Sequence, residues 1–108
     1  MHNPELMSKI NAFIAAHRQE MLDDLAALIE IPSVVTDALP GMPYGADCHE
    51  VLLRTEAIAK KLGFATNIVD DAILTAEFGD RPTQLSCMCH LDVVAAGDGW
   101  DTPPYTMT

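Results

Sequence analysis

Apolar residues recur every three or four positions through the first part of the chain, and this spacing predicts a long amphipathic helix over residues 3–30. Asn3 suits the N-cap, Pro4 suits the first helical position, and Pro32 ends the helix because the residue before a proline avoids helical backbone. We interpret His17, within the stripe, as a core-edge histidine with a hydrogen-bond partner rather than a metal ligand. The predicted stripe consists of Leu6, Ile10, Phe13, Ile14, His17, Met21, Leu25, Leu28 and Ile29.

A second helix is predicted over residues 47–62, after a loop over residues 32–46 that is rich in proline and glycine. Asp47 and Glu50 have the spacing of a capping box, and Gly63 is a natural stop just after the helix. The apolar side of this helix consists of Val51, Leu52, Thr55, Ile58, Ala59 and Leu62.

Three strands are predicted next. The segments 64–69 and 72–78 are separated by the turn pair Asp70-Asp71, and residues 84–94 form an apolar run typical of a central strand covered on both faces. The order helix, helix, hairpin, strand predicts an α/β fold in which two helices pack on a mixed sheet.

Composition and charge narrow the class of protein. The chain has 108 residues, of which 49% are hydrophobic, enough for one small domain with a packed core. Sixteen acidic and six basic residues give a formal net charge of −10, which argues against binding to nucleic acid or to an anionic membrane surface. Neither a signal peptide nor a membrane span is apparent, so we expect a cytoplasmic protein.

The cysteines are expected to be reduced thiols, because their number, three, is odd and no signal peptide is apparent. Cys87 and Cys89 would share one face of the third strand, where packing in the core is the simpler interpretation and a Cys-x-Cys metal chelate the alternative. Cys48 and His49 are expected to be exposed or half-exposed at the start of the second helix.

The stretch CMCHLDVVAAGDGW, residues 87–100, contains the candidate chemistry. His90 and Asp92 are two residues apart, so in an extended segment they lie on one face, at the end of a strand where open α/β sheets bind ligands. A neutral imidazole is a good zinc ligand, and a neighbouring carboxylate can accept its other N–H and orient the ring. The simpler alternative is a local His–Asp pair that caps the strand. Gly97 and Gly99 would allow a sharp turn, and a pocket wall is predicted from Trp100, Pro103, Pro104 and Tyr105.

The longer string HLDVVAAGDGWDTPPY, residues 90–105, resembles the first metal motif of the cocatalytic zinc peptidases. That family includes aminoacylases, desuccinylases, glutamate carboxypeptidases and PepV-type dipeptidases. Residues 25–34 resemble the end of the family's first helix and the Ile-Pro-Ser turn after it, and residues 57–66 resemble its second helix running into the first strand. Residues 43–64 look closest to the dipeptidase branch. The resemblance spans nearly the whole chain. One departure is Ala95, where the family usually has proline.

This resemblance implies that residues 1–108 are the N-terminal part of a catalytic domain, without its remainder and without the lid domain. The parent would be a dizinc hydrolase that cleaves the amide bond of dipeptides or N-acyl amino acids, with cobalt or manganese as alternative metals. His90 would bind one of two zinc ions, and Asp92 would be the catalytic-site carboxylate that orients it. The other ligands and the general base Glu would follow Thr108, so we expect this part alone to be inactive. The substrate within this class and the oligomeric state stay open.

Two alternatives remain at this point. The chain could be a non-catalytic binding or interaction module that keeps the start of the fold without a complete metal site. It could also hold a single metal ion between Cys87, Cys89 and His90, although strand alternation would turn His90 away from both cysteines.

Overall fold

The computed structural model describes residues 3–80, 82 and 85–108. Two helices are followed by two strands: α1 (Pro4–Ile29), α2 (Ala46–Lys61), β1 (Ala65–Val69) and β2 (Ile73–Glu77). The predicted α/β class is therefore confirmed, with both helices within one residue of their predicted ends.

Helix α1 begins as its sequence predicts. The side chain of Asn3 accepts a hydrogen bond from the Leu6 amide at 3.1 Å, and Pro4 occupies the first helical position. The Nδ1 atom of His17 lies 2.9 Å from the Phe13 carbonyl oxygen and its ring stacks on that of Phe13, so the interpretation of His17 as a hydrogen-bonded histidine is confirmed.

No residue of α1 is buried. Its large apolar side chains are 41–59% exposed at Leu6, Met7, Ile10, Phe13, Ile14, Met21 and Leu25.

Helix α2 begins one residue earlier than predicted, and this makes the capping-box prediction wrong. The N-cap is Gly45, which makes no side-chain cap hydrogen bond, so Asp47 lies inside the first turn. There its negative carboxylate interacts favourably with the positive N-terminal end of the helix dipole. Glu50 instead pairs with Arg54 at 3.3 Å. The predicted stop at Gly63 is confirmed, since its φ is +91°.

The C-terminus of α2 closes with two backbone hydrogen bonds. The amide of Gly63 donates to the Lys60 carbonyl and the amide of Phe64 donates to the Ala59 carbonyl, each at 3.0 Å. This pairing is a Schellman motif, which satisfies carbonyls that the helix itself leaves free. It turns the chain directly into β1.

Strands β1 and β2 form an antiparallel hairpin in which Asn67 lies opposite Thr75. The predicted turn is confirmed: Asp70 and Asp71 both have φ of +53°, and the Ala72 amide donates to the Val69 carbonyl at 3.1 Å. The hairpin is attached to α2 by a hydrogen bond of 3.0 Å from the Thr66 hydroxyl to the Glu56 carboxylate.

The predicted third strand is not formed. Residues 85–94 have no strand conformation, and Gln84 lies outside the described residues. A central strand needs a partner strand on each side, and the sheet in the described part of the chain consists only of β1 and β2. It is therefore antiparallel rather than mixed. Cys87 and Cys89 are exposed free thiols, so their predicted packing in a core is also wrong.

The core is small. Among the described residues, its buried hydrophobic side chains are Ile31, Val51, Leu52 and Ala59. The radius of gyration is 16.8 Å, against about 13 Å for a compact domain of about 100 residues. Much of the apolar surface that the sequence provides therefore lies outside any core. Neither helix of the described chain is long and apolar enough to cross a membrane.

Candidate functional site

The segment that contains His90 and Asp92 lies against the turn that follows α1. Ser33 in this turn is only 2% exposed. Its hydroxyl donates to the Leu91 carbonyl at 2.8 Å, and its carbonyl accepts from the Val93 amide at 3.0 Å. These two hydrogen bonds hold residues 91–93 against the turn although no strand ladder is present.

His90 and Asp92 lie side by side. The Nδ1 atom of His90 is 2.9 Å from the Asp92 backbone carbonyl oxygen and 3.3 Å from the Asp92 carboxylate oxygen Oδ1. Their side chains are 83% and 56% exposed, whereas Leu91 between them is half-buried. Since Asp92 holds Nδ1, the nitrogen that remains for a ligand is Nε2. The metal-binding role of His90 and the orienting role of Asp92 stay predictions.

This geometry fits one corner of a zinc site. Histidine ligands usually donate their second ring N–H to a carboxylate or a backbone carbonyl, and Asp92 offers both to His90. Zinc needs about four ligands, however, and the described residues contain no group of three or more His, Cys, Asp or Glu side chains that could hold a metal ion. Among the described residues, Cys87, Cys89 and His90 form no such group, so the geometry lends no support to the single-metal alternative.

The loop after the pair turns as predicted. Gly97 and Gly99 have φ of +66° and +90°, a region that favours glycine. The indole N–H of Trp100, directly after Gly99, donates to the carbonyl of Ala96, directly before Gly97, at 2.8 Å, and this hydrogen bond closes the loop. The turn is predicted by the two glycines, whereas this hydrogen bond has no signal in the local sequence.

An apolar groove of about 430 Å³ runs between the C-terminal end of α1, the Ser33 turn and this loop. Trp100, Pro104 and Tyr105 line it, as predicted, whereas Pro103 does not. His90 also lines the groove, so a metal ion on His90 would lie beside an apolar recess.

Cys48 connects α2 to the same turn. Its Sγ donates to the Ser33 carbonyl oxygen at 3.5 Å. Burial, and then the charges of Asp92 and Asp47, raise the pKa of the Cys48 thiol above its usual value. The thiol is therefore neutral at neutral pH. Cys48 and His49 are half-buried, in agreement with the sequence analysis.

The sequence pattern did not indicate the role of Ser33. The residue belongs to the Ile-Pro-Ser turn that contributes to the family resemblance, but its role depends on a contact across 58 positions of the chain. The available signal was a small polar residue directly after a helix-ending proline, and this signal does not indicate a partner.

Relatives with sequences similar to this chain include three staphylococcal proteins. Proteins from Staphylococcus epidermidis, Staphylococcus haemolyticus and Staphylococcus aureus, each named "Putative dipeptidase", are 35%, 36% and 35% identical to it over 94 residues. The match covers 85% of this chain but 20% of each relative, so the chain spans about a fifth of their length. No protein-family model matches the chain. By sequence, then, the chain is similar to one part of a dipeptidase-like protein.

Proposed function

We propose that this chain is the N-terminal part of a dizinc hydrolase that cleaves the amide bond of dipeptides or N-acyl amino acids. The observation that carries the proposal is the His90–Asp92 pair, in which Asp92 holds Nδ1 at 2.9 Å and leaves Nε2 for a metal at the edge of an apolar groove. The sequence similarity to the staphylococcal proteins supports a peptide substrate.

Each residue of the pair has its own task in this proposal. His90 binds one of the two metal ions through Nε2. Asp92 holds the imidazole in one tautomer and one orientation, and so keeps Nε2 unprotonated toward the ligand. A zinc ion held by His90 would supply Lewis-acid chemistry, namely polarisation of the scissile carbonyl and a bound water with a pKa near 7. Cobalt or manganese could replace zinc, because N/O ligand sets discriminate weakly among these metals.

The remaining ligands and the general base Glu would come from sequence after Thr108. Two observations support this part of the proposal. The described residues provide no complete metal-binding group, and the relatives are about five times longer than the matched region.

The apolar surface of α1 is a third supporting observation. Seven large apolar side chains on this helix are 41–59% exposed, an amount typical of a surface that another part of a protein covers. In this proposal the rest of the catalytic domain covers it. Without that remainder the chain has no catalytic activity.

The proposed setting is the cytoplasm. All three cysteines are free thiols, which is typical of a reducing compartment. The net charge of −10 disfavours phosphate-rich partners, so the expected partner is a small peptide or an N-acyl amino acid.

The test is His90→Ala in the full-length gene product, with zinc content measured by mass spectrometry and hydrolysis measured on a set of dipeptides. We expect zinc content to fall and hydrolysis to drop at least about a hundredfold. The matched control is His17→Ala, because in the described residues the His17 ring contacts Phe13 of its own helix, and it should retain zinc content.

If zinc content and hydrolysis survive His90→Ala, the assignment of His90 is wrong. A wild-type protein that binds no metal and cleaves no dipeptide would contradict the hydrolase proposal as a whole. That result would favour the non-catalytic module.

A further inference from the structure

Ser33 holds two peptide groups, one on each side of the Asp92 side chain. Its hydroxyl donates to the carbonyl of the Leu91–Asp92 peptide, and its carbonyl accepts from the amide of the Asp92–Val93 peptide. We propose that Ser33 is a positioning residue for the His90–Asp92 pair. The proposal rests on the hydrolase function, because it gives Ser33 a role in the same site.

The planarity of one peptide group connects Ser33 to His90. The Asp92 carbonyl and the Val93 amide belong to the same rigid trans unit and point in opposite directions. The amide side of this unit is hydrogen-bonded to Ser33 at 3.0 Å, and its carbonyl side contacts His90 Nδ1 at 2.9 Å. Fixing the first side therefore fixes the direction of the second, and with it the imidazole.

The Ser33 hydroxyl is the part of this arrangement that a substitution can remove, because the backbone carbonyl is present whatever the side chain. Its hydrogen bond to Leu91 fixes the neighbouring peptide unit, so the backbone is held both before and after the Asp92 side chain. Without the hydroxyl, the Leu91 carbonyl would lose its donor in a part-buried position, and the segment would loosen.

The turn itself is anchored. Ser33 is 2% exposed, and Cys48 Sγ on the first turn of α2 contacts its carbonyl oxygen at 3.5 Å. Ser33 thus connects α2 to an exposed pair of side chains. A serine that only filled space would not need a donor directed at Leu91, and this difference makes the two roles separable.

The experiment uses Ser33→Ala in the full-length gene product, with amide hydrogen exchange measured at Val93 and across the β1–β2 hairpin. Zinc affinity is measured by competition with a chromogenic chelator, and the His90 ring tautomer by nitrogen-15 chemical shifts. Ser8→Ala, at an exposed serine on α1, is the matched control.

We expect Ser33→Ala to raise Val93 exchange about tenfold, with hairpin exchange unchanged, to mix the His90 tautomers, and to weaken zinc binding by about 10–100-fold. Ser8→Ala should change none of these. Should Ser33→Ala fail to fold, Ser33→Cys keeps a similar shape with a weaker donor. It should then shift Val93 exchange and zinc affinity in the same direction, by less.

Three results would overturn the proposal. The first is an unchanged Val93 exchange rate in the folded variant, and the second is an unchanged zinc affinity. The third is an equal rise in exchange at Val93 and in the hairpin, which would make Ser33 a packing residue. If the wild type binds no zinc, the hydrolase proposal fails separately, and Val93 exchange together with the His90 tautomer still decides whether Ser33 orients the pair.

Discussion

Replacing Gly45 by alanine should destabilise the protein more than the same change at Gly41, the other glycine in the loop over residues 32–46. Gly45 is buried at the N-cap of α2, with φ of +95° and ψ of 173°. This is a region that glycine alone adopts without strain. A Cβ at this position would lie 1.8 Å from Thr36 Oγ1 and 3.0 Å from Thr36 Cβ.

The expected loss of unfolding free energy has two parts. Backbone strain for a residue with a side chain in this region costs about 1–3 kcal/mol. The overlap with Thr36 costs about another 1–3 kcal/mol, as overpacking does in well-packed sites. Rotation of Thr36 would move its Oγ1 but not its Cβ, and the hydrogen bond of 3.0 Å from the Thr36 amide to the Tyr44 carbonyl restrains the backbone. We therefore expect a loss of about 2–6 kcal/mol.

Urea unfolding of the full-length gene product measures this loss. The matched control is Gly41→Ala, because Gly41 has φ of +71° and nothing within 4 Å of its added Cβ. It should cost only the backbone part, about 1–2 kcal/mol. The double variant Gly45→Ala with Thr36→Ala should recover part of the overlap cost. If Gly45→Ala costs no more than Gly41→Ala, the reasoning from the overlap is refuted.

Two further predictions concern the hydrogen bonds of individual side chains. Trp100→Phe keeps an aromatic ring in the groove but removes the donor to the Ala96 carbonyl, so it should destabilise the loop by about 0.5–1.5 kcal/mol in urea unfolding followed by circular dichroism; an unchanged midpoint would contradict this. Hydrogen bonds from Lys60 and Thr66 lower the pKa of Glu56 below its usual value of 4.5. The contribution of the ionised Glu56 carboxylate to the stability of the folded protein is thus present above pH 4.5 and is lost as pH falls through the lowered pKa. Glu56→Gln should flatten the decline of melting temperature in that acid range, and an unaltered decline would show that this carboxylate does not contribute.

Helices and turns followed from the sequence because their determinants are local. The stripe of α1, the proline at its start and the glycine after α2 act within a few residues, and the structure places both helices within one residue of the prediction. The Asp70-Asp71 turn likewise needs only its own backbone. The cap of α2 was mispredicted because Asp47 has a suitable side chain, whereas the preceding loop determines where the helix begins.

The prediction of a third strand was wrong, because a strand forms only where partner strands are available for hydrogen bonding. Residues 84–94 have the apolar character of a central strand, but pairing depends on segments elsewhere that the local pattern does not specify. The adjacency of His90 and Asp92 was nevertheless predicted, since residues two apart share a face in any extended backbone. Ser33 could not be found in this way, because its bond to Leu91 spans 58 positions.

Helix α1 also has a consequence for how the polypeptide is made. Its 26 residues satisfy most of their own backbone hydrogen bonds, so it can form soon after it leaves the ribosome. If sequence downstream of α1 covers its apolar stripe, as the hydrolase proposal requires, the stripe stays exposed to solvent for on the order of tens of seconds while that sequence is synthesised. Ribosome-associated chaperones would then engage this helix first, and slowed translation downstream would lead to aggregation that begins at the N-terminus while helicity is retained.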